Sequence, residues 1–512
     1  MERRDTTVKW LAEQMVSRAQ QSPEDIAVVD ETGSHTIGKI VEAARSLADA
    51  IAHVDAGAPT ALVQADNTWC TVASVLAIGL RGGVVAVFSP HATESEFQLA
   101  LEDIAPDIVV ADPDSLSHWG VTDEQFPHSS SAFADHSSRA TGRPFSDVQR
   151  WDGGAAIAMT SGSTGRPKCV VQSEEAIRYA CTSTIDAVGL KPGEAIGAFV
   201  PLSSVAAYCF GMYLPALLGG RMVSIGRWSP AAALHAVNDH QVAWTMLVPT
   251  MALQLSVAPD SKGALAPMRA MTVGGGPMNE RALGEAEQWL DTKFLRVFGM
   301  SECLGHTTPA LDDPPSIRLG RDGRPFPGTV VRAVDSAGTP LPPGEIGEAQ
   351  VAGPSLYVGY ARQGKPVPAQ LTPDGFLPTG DLVEVFDDGS IRVMGRQKQI
   401  IIRGGRNIDI NEMEAALAAL DSVVQVCVVP VPDDLLGERA AALVVTGGEP
   451  ITLSDVTARL AASAFPKFKW PEFVFTVDDL PQNRVGKLSR SDATEIARKL
   501  ASLADSNSGR EL

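Results

Sequence analysis

Several features that would narrow the function of this chain at once are scarce in it. Only six cysteines occur in 512 residues, and Cys70, Cys169, Cys181, Cys209, Cys303 and Cys427 are scattered with no paired spacing. That argues against a disulfide framework and a zinc site, and points to a reducing cytoplasm. Basic residues are outnumbered, 42 Lys plus Arg against 61 Asp plus Glu, for a formal charge of −19. So acidic a chain is a poor candidate for nonspecific nucleic-acid binding, and its charge serves solubility. No apolar run reaches the ~18 residues of a membrane span. The opening Met1-Glu2-Arg3-Arg4-Asp5 is not followed by the apolar core of a secretory signal. The nine histidines lack metal-ligand spacing, and no Gly-x-Ser-x-Gly elbow occurs, so neither a metal hydrolase nor a serine hydrolase is supported.

What is present is concentrated in Met159-Thr160-Ser161-Gly162-Ser163-Thr164-Gly165-Arg166-Pro167-Lys168. Apolar residues 155–158 before it and 169–171 after it each read as a buried strand, which puts the glycines in a loop between two strands. Gly162 and Gly165 permit tight curvature. Backbone N–H groups, hydroxyls and two cations there suit a polyphosphate. The Walker spacing is absent and no helix follows at once. A surface hairpin turn would share this composition.

Alternating helices and apolar strands run through the first half: helices over 40–53 and 71–81, strands over 61–64, 84–88 and 108–111. This predicts a parallel sheet covered by helices. Residues 129–147 are polar and read as a mobile loop or linker. A second α/β stretch covers 155–298, with Ser173 capping a helix to residue 188 and strands at 222–225, 244–248 and 270–273. Short β segments with Pro and Gly turns fill 325–394. The last part reads as a compact α+β unit, with a helix capped by Asn411 and running to 420. The length suggests roughly three domains.

Four further segments complete a pattern: Val297-Phe298-Gly299-Met300-Ser301-Glu302, Pro378-Thr379-Gly380-Asp381-Leu382, Gly395-Arg396-Gln397-Lys398-Gln399 continuing to Arg403-Gly404-Gly405, and Asn483-Arg484-Val485-Gly486-Lys487. With the opening loop they resemble the ordered motifs of the adenylate-forming superfamily, which holds acyl- and aryl-CoA synthetases, nonribosomal peptide synthetase adenylation domains and firefly luciferase. The resemblance spans nearly the whole chain. It implies an α/β fold with a large N-terminal domain, residues 1–395, made of helix-covered mixed sheets plus a β-rich subdomain. A small mobile α+β domain, residues 396–512, would carry the catalytic lysine. The implied reaction has two steps. A carboxylate attacks the α-phosphate of ATP to give an acyl-adenylate and pyrophosphate, and a thiol then displaces AMP.

The resemblance also implies roles. Thr160, Ser161, Gly162, Ser163, Thr164, Gly165 and Lys168 would hold the β- and γ-phosphates. Glu302 matches a magnesium ligand, a hard-oxygen donor suited to a cation bridging phosphates. Phe298 is similar to the adenine-stacking aromatic. Gly299, Met300 and Ser301 continue that motif, and Gly274-Gly275-Gly276-Pro277 resembles the loop lining the adenine and acyl sites. Asp381 matches the ribose-binding carboxylate, and Arg396 the arginine contacting ribose and phosphate. Lys487 matches the catalytic residue of adenylation, supplying positive charge against the α-phosphate. Lys398 matches the hinge. Arg403, Gly404 and Gly405 resemble the loop that enters the site for the thiol step. Gln399 stands where the family usually has an acidic residue.

The acyl-pocket segment corresponds to residues 201–208. It has no Asp to pair with an α-amino group, which argues against an α-amino acid. Ser204 replaces a common His. Ser204, Ala206, Ala207 and Gly276 are small, so the expected pocket, with Ser204, Ala207 and Tyr208 on its wall, takes a bulky hydrophobic acid. Alternatively Tyr208, Phe210, Met246 and Met251 fill that volume and leave a medium-sized pocket. The expected activity is an AMP-forming acyl-CoA synthetase using ATP, Mg2+ and CoA. The alternative is an adenylating enzyme that hands its product to a carrier-protein thiol or a separate partner enzyme. An inactive ligand-binding relative and a luciferase-type oxidase are further readings. The expected partners are small molecules, with no nucleic acid and no membrane span.

Overall fold

The computed structural model describes residues 8–160, 167–276, 278–396, 399–404, 406–433, 435–463, 465–483 and 486–508. Ser161, Gly162, Ser163, Thr164, Gly165, Arg166, Pro277, Lys398 and Gly405, all named above, lie outside the described residues.

Two nine-stranded mixed sheets, a four-stranded antiparallel sheet and a five-stranded sheet organise the chain. The first nine-stranded sheet has the parallel run Ile26–Asp30, Arg221–Ser224, Ala195–Ala198, Val242–Leu247, Ala270–Gly274 and Phe294–Met300, closed by antiparallel Cys303–Thr308. The second has Ile108–Ala111, Thr60–Gln64, Val84–Phe88 and Ala156–Thr160 in parallel. Lys168–Gln172 and Gly359–Arg362 extend it antiparallel. Strands buried on both faces need continuous apolar runs, and Val84–Phe88 and Thr60–Gln64 are buried throughout. Helix Trp69–Leu80 is buried through Gly79, as a helix enclosed on all sides must be. It belongs to one hydrophobic cluster that joins Val28 and Ile196 of the first sheet to Ala61 and Val63 of the second. The two sheets therefore share a helical layer. The larger N-terminal domain also holds the four-stranded sheet, whose last strands are Leu377–Val385 and Ile391–Arg396.

The smaller C-terminal domain is built on the five-stranded sheet and helix Arg490–Ser508. It seats on helices Pro249–Ser256 and Glu280–Leu290. Thr250 donates to the Gly486 carbonyl at 3.0 Å, Asn279 to Ala418 at 3.0 Å and Arg281 to Asp421 at 2.6 Å. Among the described residues no helix is long and apolar enough to cross a membrane.

Two local expectations need correction. Residues 129–147 are not a linker: His128–Ser131 and Ser137–Ala140 form an antiparallel pair that extends the second sheet beyond Ile108–Ala111. An edge strand satisfies its backbone on one side and water on the other, so it needs little apolar sequence. Helix Ile410–Ala418 is capped by Asp409, whose carboxylate accepts from Asn411 and Glu412, and not by Asn411. Asn411 instead donates its side-chain amide to the Arg396 carbonyl at 3.0 Å.

Candidate active site

A cavity of about 1260 Å³ lies where the two domains meet. Its lining includes apolar Ala206, Ala207, Phe210, Met246, Val297 and Leu304. It also includes Thr160, Arg396, Asn483 and Lys487, with Glu96 and Asp492 as acidic members. Apolar surface and polar, charged groups thus occur in one space.

The phosphate-loop hairpin is antiparallel, with Thr160 opposite Lys168. Its outgoing strand is fixed from behind by Gln172, which donates to the Ser301 carbonyl at 2.7 Å. That bond ties the loop's strand to the 297–302 motif. Gly299 is required at the next turn of that motif: a Cβ there would lie 2.7 Å from Gly305 Cα in the neighbouring strand.

Glu302 accepts from the Tyr360 hydroxyl at 2.6 Å. Tyr360 in turn lies 3.4 Å from Lys168 Nζ. Asp381 sits opposite Arg396 across the two strands, with Arg396 Nε 2.9 Å from its carboxylate. Asp381 is only 6% exposed; burial raises its pKa, and Arg396 partly opposes that.

Lys487 reaches across the domain interface. Its N–H donates to Asn483 Oδ1 at 3.0 Å and its carbonyl accepts from Asn483 N–H at 2.7 Å. Gly275, at φ +82, makes room: a Cβ there would lie 3.0 Å from Lys487 Cε. Burial holds the amine below its ordinary value, Arg396 lowers it further, and Glu302 pulls it up. A lysine within electrostatic reach of both groups sits over the same small volume as the nucleotide motifs.

Phe298, Tyr208 and Arg403, all expected at the site, lie elsewhere. Side chains alternate across a strand. Val297 and Gly299 line the cavity, so Phe298 points away from it, into a cluster with Val170, Cys303 and Tyr357, its ring edge-on to His306 at 4.9 Å. Tyr208 follows Ala207 by one helical residue, about 100° round the axis. Its ring is buried in the core, and its hydroxyl has no hydrogen-bond partner there. Ser204 lines the cavity but also caps the next turn, accepting from Ala207 N–H at 3.2 Å. Arg403 is turned into the C-terminal domain, bonded to Glu472 and the carbonyls of Phe468 and Trp470.

Three residues escaped sequence reasoning: Tyr360, Gln172 and Asn67. The Asn67 amide donates to Ala198 and Val200 and accepts from Leu202, clamping the strand end that leads to the acyl wall. Tyrosine is rare in this chain, five in all, and that rarity is the single signal the sequence offered.

Residues 15–361 match the AMP-binding enzyme family and residues 412–487 its C-terminal domain. The chain belongs to the AMP-binding enzymes. It is 32% identical over 354 residues to a salicylyl-CoA synthase / salicylate adenylyltransferase of a Streptomyces species, covering 67% of this chain and 63% of that protein. It is 28% identical to the medium-chain fatty-acid–CoA ligase of Escherichia coli strain K12 over 94% of this chain and 89% of that one. Its fold matches the ATP-bound crystal structure of MatB from Rhodopseudomonas palustris with a TM-score of 0.78 at 24% identity, over 96% of this chain and 99% of that chain. The first of these matches spans less than two thirds of its relative's length. Family model and fold therefore agree over nearly the whole chain.

Proposed function

We propose that this AMP-binding enzyme is an ATP-dependent acyl-CoA synthetase for a bulky hydrophobic carboxylic acid. The observation that carries the reading is the cavity itself: apolar Ala207, Phe210, Met246 and Leu304 share one space with Thr160, Arg396 and Lys487. Glu96 and Asp492 also border the cavity, while Arg396 and Lys487 supply the cations that draw a carboxylate as its hydrophobic body lies against the apolar side chains.

In the first step an oxygen of the substrate carboxylate bonds to the α-phosphorus, the bond to the bridging oxygen of the β-phosphate breaks, and pyrophosphate leaves. Thr160 and Lys168, with Ser161–Thr164 between them, hold the β- and γ-phosphates; Asp381 and Arg396 hold the ribose. Lys487 places its ammonium against the α-phosphate as negative charge grows there. The residues fit a magnesium ion. Glu302 offers one carboxylate near the phosphate loop, and the described residues contain no cluster of three or more ligands that would cage a metal, as befits a cation that keeps waters and phosphate oxygens. When bound, that ion neutralises phosphate charge. In the second step the CoA thiol attacks the acyl carbon and AMP leaves. We take the domain boundary at Gly395–Arg396, with Lys398 as the pivot that exchanges Lys487 for the loop Arg403–Gly405. Gly395 supports that position: a Cβ there would collide with Asn411 of the following domain.

ATP–pyrophosphate exchange over a panel of aliphatic, monocyclic and polycyclic acids tests the reading. Exchange with bulky acids above acetate and glycine is expected, followed by thioester with CoA. Preference for acetate or glycine, or thioester formed on a holo-carrier protein but not on CoA, counts against it.

A further inference from the structure

Tyr360 is absent from every motif identified in the sequence, yet it is the group through which two of them meet. It lies on strand Gly359–Arg362, which is paired on its far side with Lys365–Pro368, and stands opposite Val170 of the strand that leaves the phosphate loop. Its ring is braced edge-on by Tyr357 at 5.1 Å, and the Tyr357 N–H donates to the Glu302 carbonyl at 2.9 Å. Backbone and side chain of Glu302 are therefore held by two tyrosines of one segment. The Tyr360 hydroxyl gives its proton to Glu302 Oε1 at 2.6 Å and receives one from Lys168 Nζ at 3.4 Å. The same ammonium lies 4.9 Å from the ring centroid, within cation–π range.

A phenol has one proton to give and lone pairs to receive another. Placed between a carboxylate and an ammonium, it separates charges that would otherwise collapse into a direct ion pair. A direct pair would spend the ammonium's attraction for phosphate and the carboxylate's attraction for a cation on each other. We propose that Tyr360 is a positioning residue that keeps Glu302 turned toward a magnesium ion and Lys168 free for phosphate oxygens. This rests on the ATP-binding reading above.

The test is ATP binding to the full chain by calorimetry, once with excess Mg2+ and once in chelator, for wild type, Tyr360→Phe, Glu302→Gln and the double variant. Tyr360→Phe should cut the Mg2+-dependent gain in ATP affinity about tenfold, the scale of one hydrogen bond to a charged group. Affinity in chelator, which reads Lys168 against the phosphates, should fall less, by about threefold at most, and the double variant should match Glu302→Gln alone. An undiminished Mg2+ gain in Tyr360→Phe, an equal loss in chelator, or additive losses in the double variant overturn the proposal. If Tyr360→Phe does not fold, Tyr360→Gln, which keeps a donor, takes its place. Its Mg2+ gain should survive to within about threefold, and complete loss overturns the proposal. A wild-type chain that binds no ATP under either condition overturns this proposal together with the reading beneath it; the other outcomes, with wild-type binding intact, overturn this one alone.

Discussion

Replacing Gly275 by alanine probes the meeting of the two domains without substituting a charged residue. Gly275 has φ +82, and an alanine methyl there would lie 3.0 Å from Lys487 Cε and 3.2 Å from Nζ. Carbon atoms rest about 3.5–4.0 Å apart, so the lysine must withdraw by roughly 0.5–1 Å. A shift of ~1 Å in a reacting constellation costs on the order of a hundredfold in rate. The left-handed backbone adds ~1 kcal/mol of strain, a small fraction of total stability. Gly275→Ala should therefore lower ATP–pyrophosphate exchange by about ten- to a hundredfold with only a slight fall in melting temperature. In a Lys487→Ala background the same change should cost less than about twofold, because the displaced amine is gone. Full exchange activity in Gly275→Ala, or an equal loss in both backgrounds, would refute the placement of Lys487 over the reacting phosphate.

Lys487→Ala should reduce adenylation by roughly 10²–10³-fold while sparing thiolysis of a supplied acyl-adenylate; equal loss of both half-reactions contradicts its role. Since burial and Arg396 depress the Lys487 pKa below 10.5 and the protonated form is the working one, exchange activity should fall as pH rises through that lowered value. Arg396→Met should move the falling limb to higher pH, and an unmoved limb speaks against the pairing. His306 is buried, and its pKa is lowered from 6.5 to about 4. Between those values the unfolded chain takes up a proton that the folded chain refuses, so stability should drop by roughly 3 kcal/mol on acidification across that window. Urea unfolding of His306→Gln should lose this slope. Ala207→Phe fills the apolar wall and should shift the preferred acid toward smaller members of the panel; an unchanged ranking excludes Ala207 from substrate contact.

Much of the architecture was legible before any coordinates. Apolar strands alternating with amphipathic helices required a helix-covered parallel sheet, because each face had to be buried somewhere. The small residues between two apolar runs put a loop between two strands, and the structure pairs those strands, Thr160 with Lys168. Asp381 and Arg396 stand opposite each other on adjacent strands. The polar stretch 129–147 misled because edge strands demand backbone partners more than apolar side chains.

The chain's own order of residues determined which chemical groups are available and which short segments curve, extend or coil, since those choices depend on neighbours a few positions away. The three-dimensional packing alone decided that Phe298 turns from the cavity, that Tyr360 meets Glu302 across 58 residues and that Thr250 meets Gly486 across 236. Such distant meetings have no local cause: they follow from how whole sheets stack and where one domain comes to rest on another.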